Sequence, residues 1–196
     1  MVLTPSTMLP LGTRAPDFAL VDVTSGKTLT LADFAKKQAF VVMFLCNHCP
    51  YVKHVRDGVT AFARDYDRDD VALVAIASND AEAYPDDGPD ALAAEAKRNG
   101  WKFPYLFDAS QAVAKKFTAA CTPDFFVFDA FKKLVYRGQF DGSRPGNDVA
   151  VTGADLRAAL DAVLAKKPVA PTQRPSLGCN IKWRAGNEPE YFKPKG

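Results

Sequence analysis

The apolar run Ala39-Phe40-Val41-Val42-Met43-Phe44-Leu45, ending in Cys46-Asn47-His48-Cys49-Pro50, constrains this chain more than any other stretch. Seven consecutive apolar residues, many branched or aromatic, offer no polar face to water and read as a strand buried on both faces. After Pro50, the residues Val52, Val55, Val59, Phe62, Ala63 and Tyr66 recur at spacings of three and four, which predicts an amphipathic helix. Two cysteines therefore stand where a central strand runs into a helix N-terminus. Unpaired backbone N–H groups and the positive end of the helix dipole favour thiolate over thiol at Cys46. Cys49, three residues on, is within reach of Cys46 for a disulfide.

The remaining composition narrows the class. A chain of 196 residues with 47% hydrophobic and 24% charged side chains is long enough to bury a sizeable core. Its net charge of +2 is spread among interspersed charges, which gives nucleic-acid binding no support. No apolar run reaches the roughly 20 residues of a bilayer span. The first residues, Met1-Val2-Leu3-Thr4-Pro5, lack the pattern of a secretory signal, so the expected location is the cytoplasm, with no membrane partner. Four cysteines are too few for a disulfide-stapled scaffold, and a CxxC in a reducing compartment reads as catalytic or metal-binding.

In chain order, residues 1–13 read as a loose lead-in. A strand Ala15–Val21 turns through Ser25-Gly26-Lys27 into Thr28-Leu29-Thr30, an N-terminal β-hairpin, and Leu31–Phe34 makes a short helix. The motif helix ends near Tyr66. Val71–Ala77 is a second apolar strand, parallel to the first if the helix between them is a crossover. A Pro/Gly/Asp loop from Tyr84 to Pro89 leads to a helix over Asp90–Asn99, stopped by Gly100. Phe103–Phe107 is short and extended, and Ser110 caps a helix through Phe117. Phe125–Asp129 and Leu134–Gly138 form antiparallel strands, and Asp155–Lys166 is a last helix. Residues 1–167 thus make one domain. Residues 168–196, with five prolines and no clear period, read as an extended C-terminal tail packed on it.

This order of elements, with Ala15-Pro16-Asp17-Phe18, the CxxC, Phe103-Pro104-Tyr105 and Thr122-Pro123-Asp124-Phe125-Phe126, resembles the α/β thioredoxin fold over roughly residues 14 to 166. It is similar to the branch holding TlpA-type thiol–disulfide oxidoreductases and AhpC/TSA-type peroxiredoxin relatives. The resemblance implies that Pro123 is a cis-proline beside the CxxC. It also implies that Thr122 leaves its backbone free to pair with a substrate chain. Where a peroxiredoxin carries Thr or Ser three residues before its peroxidatic cysteine, this chain has Met43. Where thioredoxin carries a buried acid six residues before its first cysteine, it has Phe40. These departures favour dithiol exchange, with Cys46 attacking and Cys49 resolving, over an antioxidant thiol peroxidase, which is the alternative. The expected partners are protein or small-molecule disulfides and a dithiol that donates or accepts electrons. No bound cofactor is required.

His48, between the two cysteines, reads as an imidazolium that stabilises the Cys46 thiolate, as in DsbA-type enzymes. The plain alternative is a polar residue facing solvent. Cys46, His48, Cys49 and His54 could together hold Cu(I) or Zn; copper-delivery proteins of the SCO type share this fold but space their cysteines by three residues and use a distant histidine. No histidine follows His54 to complete such a set, and metal is not assigned. Cys121 and Cys179 are possible additional thiols, with inert buried cysteines as the default. Ile181 and Trp183 alternate, so the tail around Cys179 can lie extended with both buried. The adopted expectation there is a structural strap with Cys179 far from the other sulfurs. A resolving Cys179 beside Pro123 is the alternative.

Overall fold

In the computed structural model, residues 3–192 are described, and the ends of the expected lead-in and tail (residues 1–2 and 193–196) lie outside them. The strands are β1 (Leu3–Pro5), β2 (Ala19–Asp22), β3 (Thr28–Thr30), β4 (Ala39–Phe44), β5 (Val71–Ala77), β6 (Tyr105–Phe107), β7 (Cys121–Thr122), β8 (Asp124–Phe128), β9 (Leu134–Gly138) and β10 (Leu177–Asn180). The helices are α1 (Pro50–Asp65), α2 (Pro89–Arg98), α3 (Ala112–Lys116) and α4 (Ala154–Leu164), with short 3-10 turns at Leu31–Phe34 and Pro85–Asp87.

Seven strands form the main sheet in the order β3-β2-β6-β5-β4-β8-β9. β4, β5 and β6 run parallel, so α1 is the crossover its periodicity predicts, and Val42 lies opposite Val74. β8 and β9 pair antiparallel, and β8 joins β4 antiparallel on its other side. The hairpin β2–β3 attaches through β6. This mixed sheet flanked by helices is the thioredoxin fold.

Every residue of β4 is buried, because each face of the sheet meets its own core. Ala39, Val41 and Met43 pack with α1, α2 and α4; Phe40, Val42 and Phe44 pack with α3 and with Phe18, Phe34, Ile181 and Trp183. Alternation along one apolar strand therefore supplies two cores.

Three sequence expectations shift. The first strand begins at Ala19 rather than Ala15, after the proline at 16. The helix expected from Ser110 is the single short turn α3, with Gln111 at its N-cap in the left-handed region (φ 62°). Ser110 Oγ still accepts from the Ala112 N–H at 3.2 Å. The Gln111 amide, however, donates to the carbonyls of Ser78 and Lys182, which ties the helix start to the tail. The lead-in is not loose: β1 pairs antiparallel with β10, which pairs in turn with β7, making a second sheet in the order β1-β10-β7. β1 and β10 satisfy one another's backbone groups, and β10 in turn rests on Cys121-Thr122.

Candidate active site

The site forms where β4 ends and α1 begins. Leu45 N–H still bonds the Ile76 carbonyl, so the chain leaves the sheet only at Cys46. Cys49 is the N-cap residue of α1 and Pro50 its first residue, a position where proline's missing N–H costs nothing. Thr122-Pro123 is a cis peptide and lies against both cysteines, as the family resemblance implies. Thr122 Oγ1 is 3.2 Å from Cys46 Sγ, and the Thr122 carbonyl oxygen is 3.3 Å from Cys49 Sγ.

The expectation for Cys46 is overturned. The N–H groups of Asn47 and His48, which were to favour its thiolate, both donate to Asp87 Oδ1, at 2.7 and 3.2 Å. Asp87 is fully buried, and its other oxygen takes Asn79 Nδ2 at 2.7 Å and lies 2.5 Å from His48 Nδ1. His48 is half-buried, with a ring nitrogen within 4.8 Å of Cys46 Sγ. It is held by Asp87 on its edge and stacks on Tyr84 at 5.0 Å. Burial pushes the Cys46 thiol well above the ordinary cysteine range, its hydrogen bond with Cys49 adds to this, and the nearby Asp87 charge raises it further.

Cys49 is the more acidic of the pair. Hydrogen bonding with the Cys179 and Cys46 side chains, and with the Val52 N–H in the first turn of α1, favours its charged form over the cost of burial, so its pKa is lowered. Cys179 Sγ lies 2.9 Å from Cys49 Sγ, and the same contact pushes the Cys179 thiol up. The expectation of a Cys179 remote from the other sulfurs is thus corrected. The strand register that seats Cys179 opposite Thr122 decides it. Gly178 permits the approach, since a Cβ there would meet the Thr122 carbonyl oxygen at 2.0 Å.

That register corrects a second expectation. The backbone of Thr122, implied to be free for a substrate chain, is paired with this chain's own β10. What remains beside Pro123 is a crevice of about 10 Å3 lined by Tyr51, His54, Arg144 and Leu177, room for about one water. Cys121 is buried and faces the Pro123 carbonyl at 3.8 Å, and burial pushes its thiol well above the ordinary cysteine range. The cleft of about 640 Å3 between Tyr66, Arg68, Trp101 and Phe103 contains no cysteine.

Of the four ligands considered for a metal, His54 is drawn away to Ser143 Oγ at 2.7 Å. Cys46, His48 and Asp87 instead have ligand atoms within 4.8 Å of one another and could hold an ion. Asp87 is the residue that the sequence did not disclose. It lies in the loop read only as a Pro/Gly/Asp connection, and nothing in the local pattern marks one aspartate among several as buried.

The Redoxin family model matches residues 10–156 of the chain. This thioredoxin-fold protein belongs to the redoxin family, and thiol redox chemistry is its class of function. The chain is similar to an uncharacterized conserved protein from Geobacillus kaustophilus, with 52% identity and a TM-score of 0.92 over 94% of this chain and 97% of that one. A hypothetical protein from Sinorhizobium meliloti 1021 is 55% identical, with a TM-score of 0.91 over 93% of this chain and 100% of the other. The fold also matches a thiol:disulfide interchange protein DsbE from Chlorobium tepidum, at 20% identity and a TM-score of 0.62, over 80% and 99% of the two chains. No curated protein matches the sequence.

Proposed function

We propose that this protein is a thiol–disulfide oxidoreductase that works through Cys46 and Cys49. The observation that carries the reading is the pair of buried cysteines at the β4–α1 junction, both with sulfurs against Thr122 of the cis Thr122-Pro123 peptide. Cys49, as the resting thiolate, takes the Cys46 proton. The Thr122 carbonyl at 3.3 Å then accepts a hydrogen bond from the Cys49 thiol. The Cys46 thiolate attacks one sulfur of a substrate disulfide and expels the other as thiolate. Cys49 passes its proton to that leaving group and attacks Cys46 Sγ, which releases the second substrate sulfur as a thiolate and leaves a Cys46–Cys49 disulfide. Two electrons pass from the cysteine pair to the substrate, and an external dithiol restores them. Protein or small-molecule disulfides are the substrates in this reading. Cys46 is only 1% exposed, so exchange requires a covering segment to move aside.

The test is reduction of a small protein disulfide followed by turnover, with hydrogen peroxide consumption measured beside it. Cys46→Ser abolishes turnover, and Cys49→Ser accumulates a mixed disulfide with substrate. Catalytic peroxide consumption, with a sulfenic acid on Cys46 and no disulfide reduction, overturns the reading.

A further inference from the structure

We propose that Cys179 is a third redox thiol, which takes over Cys49 once the Cys46–Cys49 disulfide has formed. The proposal rests on the dithiol reading above and extends it.

The geometry is specific. Cys49 Sγ interacts with both Cys46 and Cys179, so it has two potential bonding partners. The Cys179 sulfur is 2.9 Å from Cys49, less than 1 Å beyond the roughly 2.04 Å of a disulfide bond. Its position is fixed by backbone pairing on both edges of β10, with Cys179 opposite Leu3 on one side and Thr122 on the other. Ile181 and Trp183 anchor the following residues in the core beneath the main sheet. Asn79, which bonds Asp87, also accepts the Lys182 N–H at 2.8 Å, so one side chain links the CxxC loop to the strap. Cys121 serves as an internal contrast. It is as deeply buried, two residues before Pro123, yet its sulfur addresses a carbonyl rather than another sulfur.

The step is an intramolecular exchange. Cys179 gives up its proton and its thiolate attacks Cys49 Sγ. The Cys49–Cys179 bond forms, the Cys46–Cys49 bond breaks, and Cys46 leaves as a thiolate that takes the proton. No electrons enter or leave. The disulfide has moved from the CxxC to a link between the N-cap of α1 and β10, Cys46 is a free thiol again, and the strap is covalently fastened across the Thr122 edge. An external dithiol then reduces Cys49–Cys179, and the strap is released with the return of the dithiol state.

The experiment oxidises the full chain with one equivalent of glutathione disulfide, alkylates the remaining thiols, digests without reductant and maps the linked peptides by mass spectrometry. The expected result is a Cys49–Cys179 peptide at no less than a tenth of all linked species, with Cys46 alkylated in the same molecules. In Cys46→Ser the Cys49–Cys179 link becomes the main product. In Cys179→Ser the Cys46–Cys49 disulfide persists, and alkylation of Cys46 after oxidation falls at least tenfold. A Cys46–Cys49 link accompanied by fully alkylated Cys179 in the wild type overturns the relay and leaves the dithiol reading standing. Absence of any intramolecular disulfide, with no disulfide reductase turnover, overturns both.

Discussion

Two flanks press on the same cysteines, and each contains a buried aspartate. On the loop flank, Asp87 has polar partners on both oxygens: two backbone N–H groups on one, Asn79 and His48 on the other. On the strap flank, Asp124 of β8 is equally buried, but its partners, Ser6 Oγ at 2.7 Å and its neighbour Phe125 N–H at 3.1 Å, both bond Oδ1. Its Oδ2 has no partner. Burial therefore dominates at Asp124 and raises its pKa to about 7, while Asp87 acts on Cys46 as a negative charge. Equal burial gives different chemistry because the supply of donors differs.

The comparison breaks first at Asp87. Replacing it with alanine strands the buried N–H groups of Asn47 and His48, and the loss of stability is about 3–5 kcal/mol, read from the urea midpoint. A loss under about 1 kcal/mol would show that water reaches these donors and that the loop flank is not dry. Asp87→Asn keeps an acceptor and removes the charge, so the inflection in Cys46 alkylation rate against pH moves down.

Asp124→Asn works in the opposite direction. The folded-state pKa of Asp124 lies above its unfolded value, so folding favours the protonated form. That contribution is complete below about pH 4 and is lost as pH rises through about 7. Removing the carboxylate therefore stabilises the protein at pH 8, by up to ~4 kcal/mol, and leaves stability at pH 4 nearly unchanged. Thermal unfolding of both proteins across that range measures it, and parallel pH profiles would defeat the assignment.

Gly178→Ala probes the strap itself. Its new Cβ must displace the Thr122 carbonyl or lift β10, at a cost of about 1–3 kcal/mol, and Cys179 becomes open to alkylation in the folded protein. Unchanged protection of Cys179 would mean that β7 yields rather than the strap. The smallest effect belongs to His48→Ala. It removes a partner of Asp87 and leaves that carboxylate's charge less compensated, so the Cys46 inflection moves up. A shift downward would mean that His48 opposes the thiolate.

The order of elements was legible because it rests on local periodicity. The unbroken apolar run of β4, the spacings of three and four along α1, and the proline opening the strand at Pro123 are each set within a few residues. The cysteine pair and its place at a helix start came with them. Tertiary structure decided the protonation of that pair and what covers it. Asp87 is 39 residues from His48, and Cys179 is 130 residues from Cys49. Neither separation has a period. One contact depends on how a loop folds over the end of a sheet, and the other on a register shared by three short strands. A thiol's acidity follows the charges and donors within a few ångströms of its sulfur, and in this protein those groups come from distant parts of the chain. The sequence by itself determined where two thiols stand; the packing of distant segments determined which of them is the more acidic.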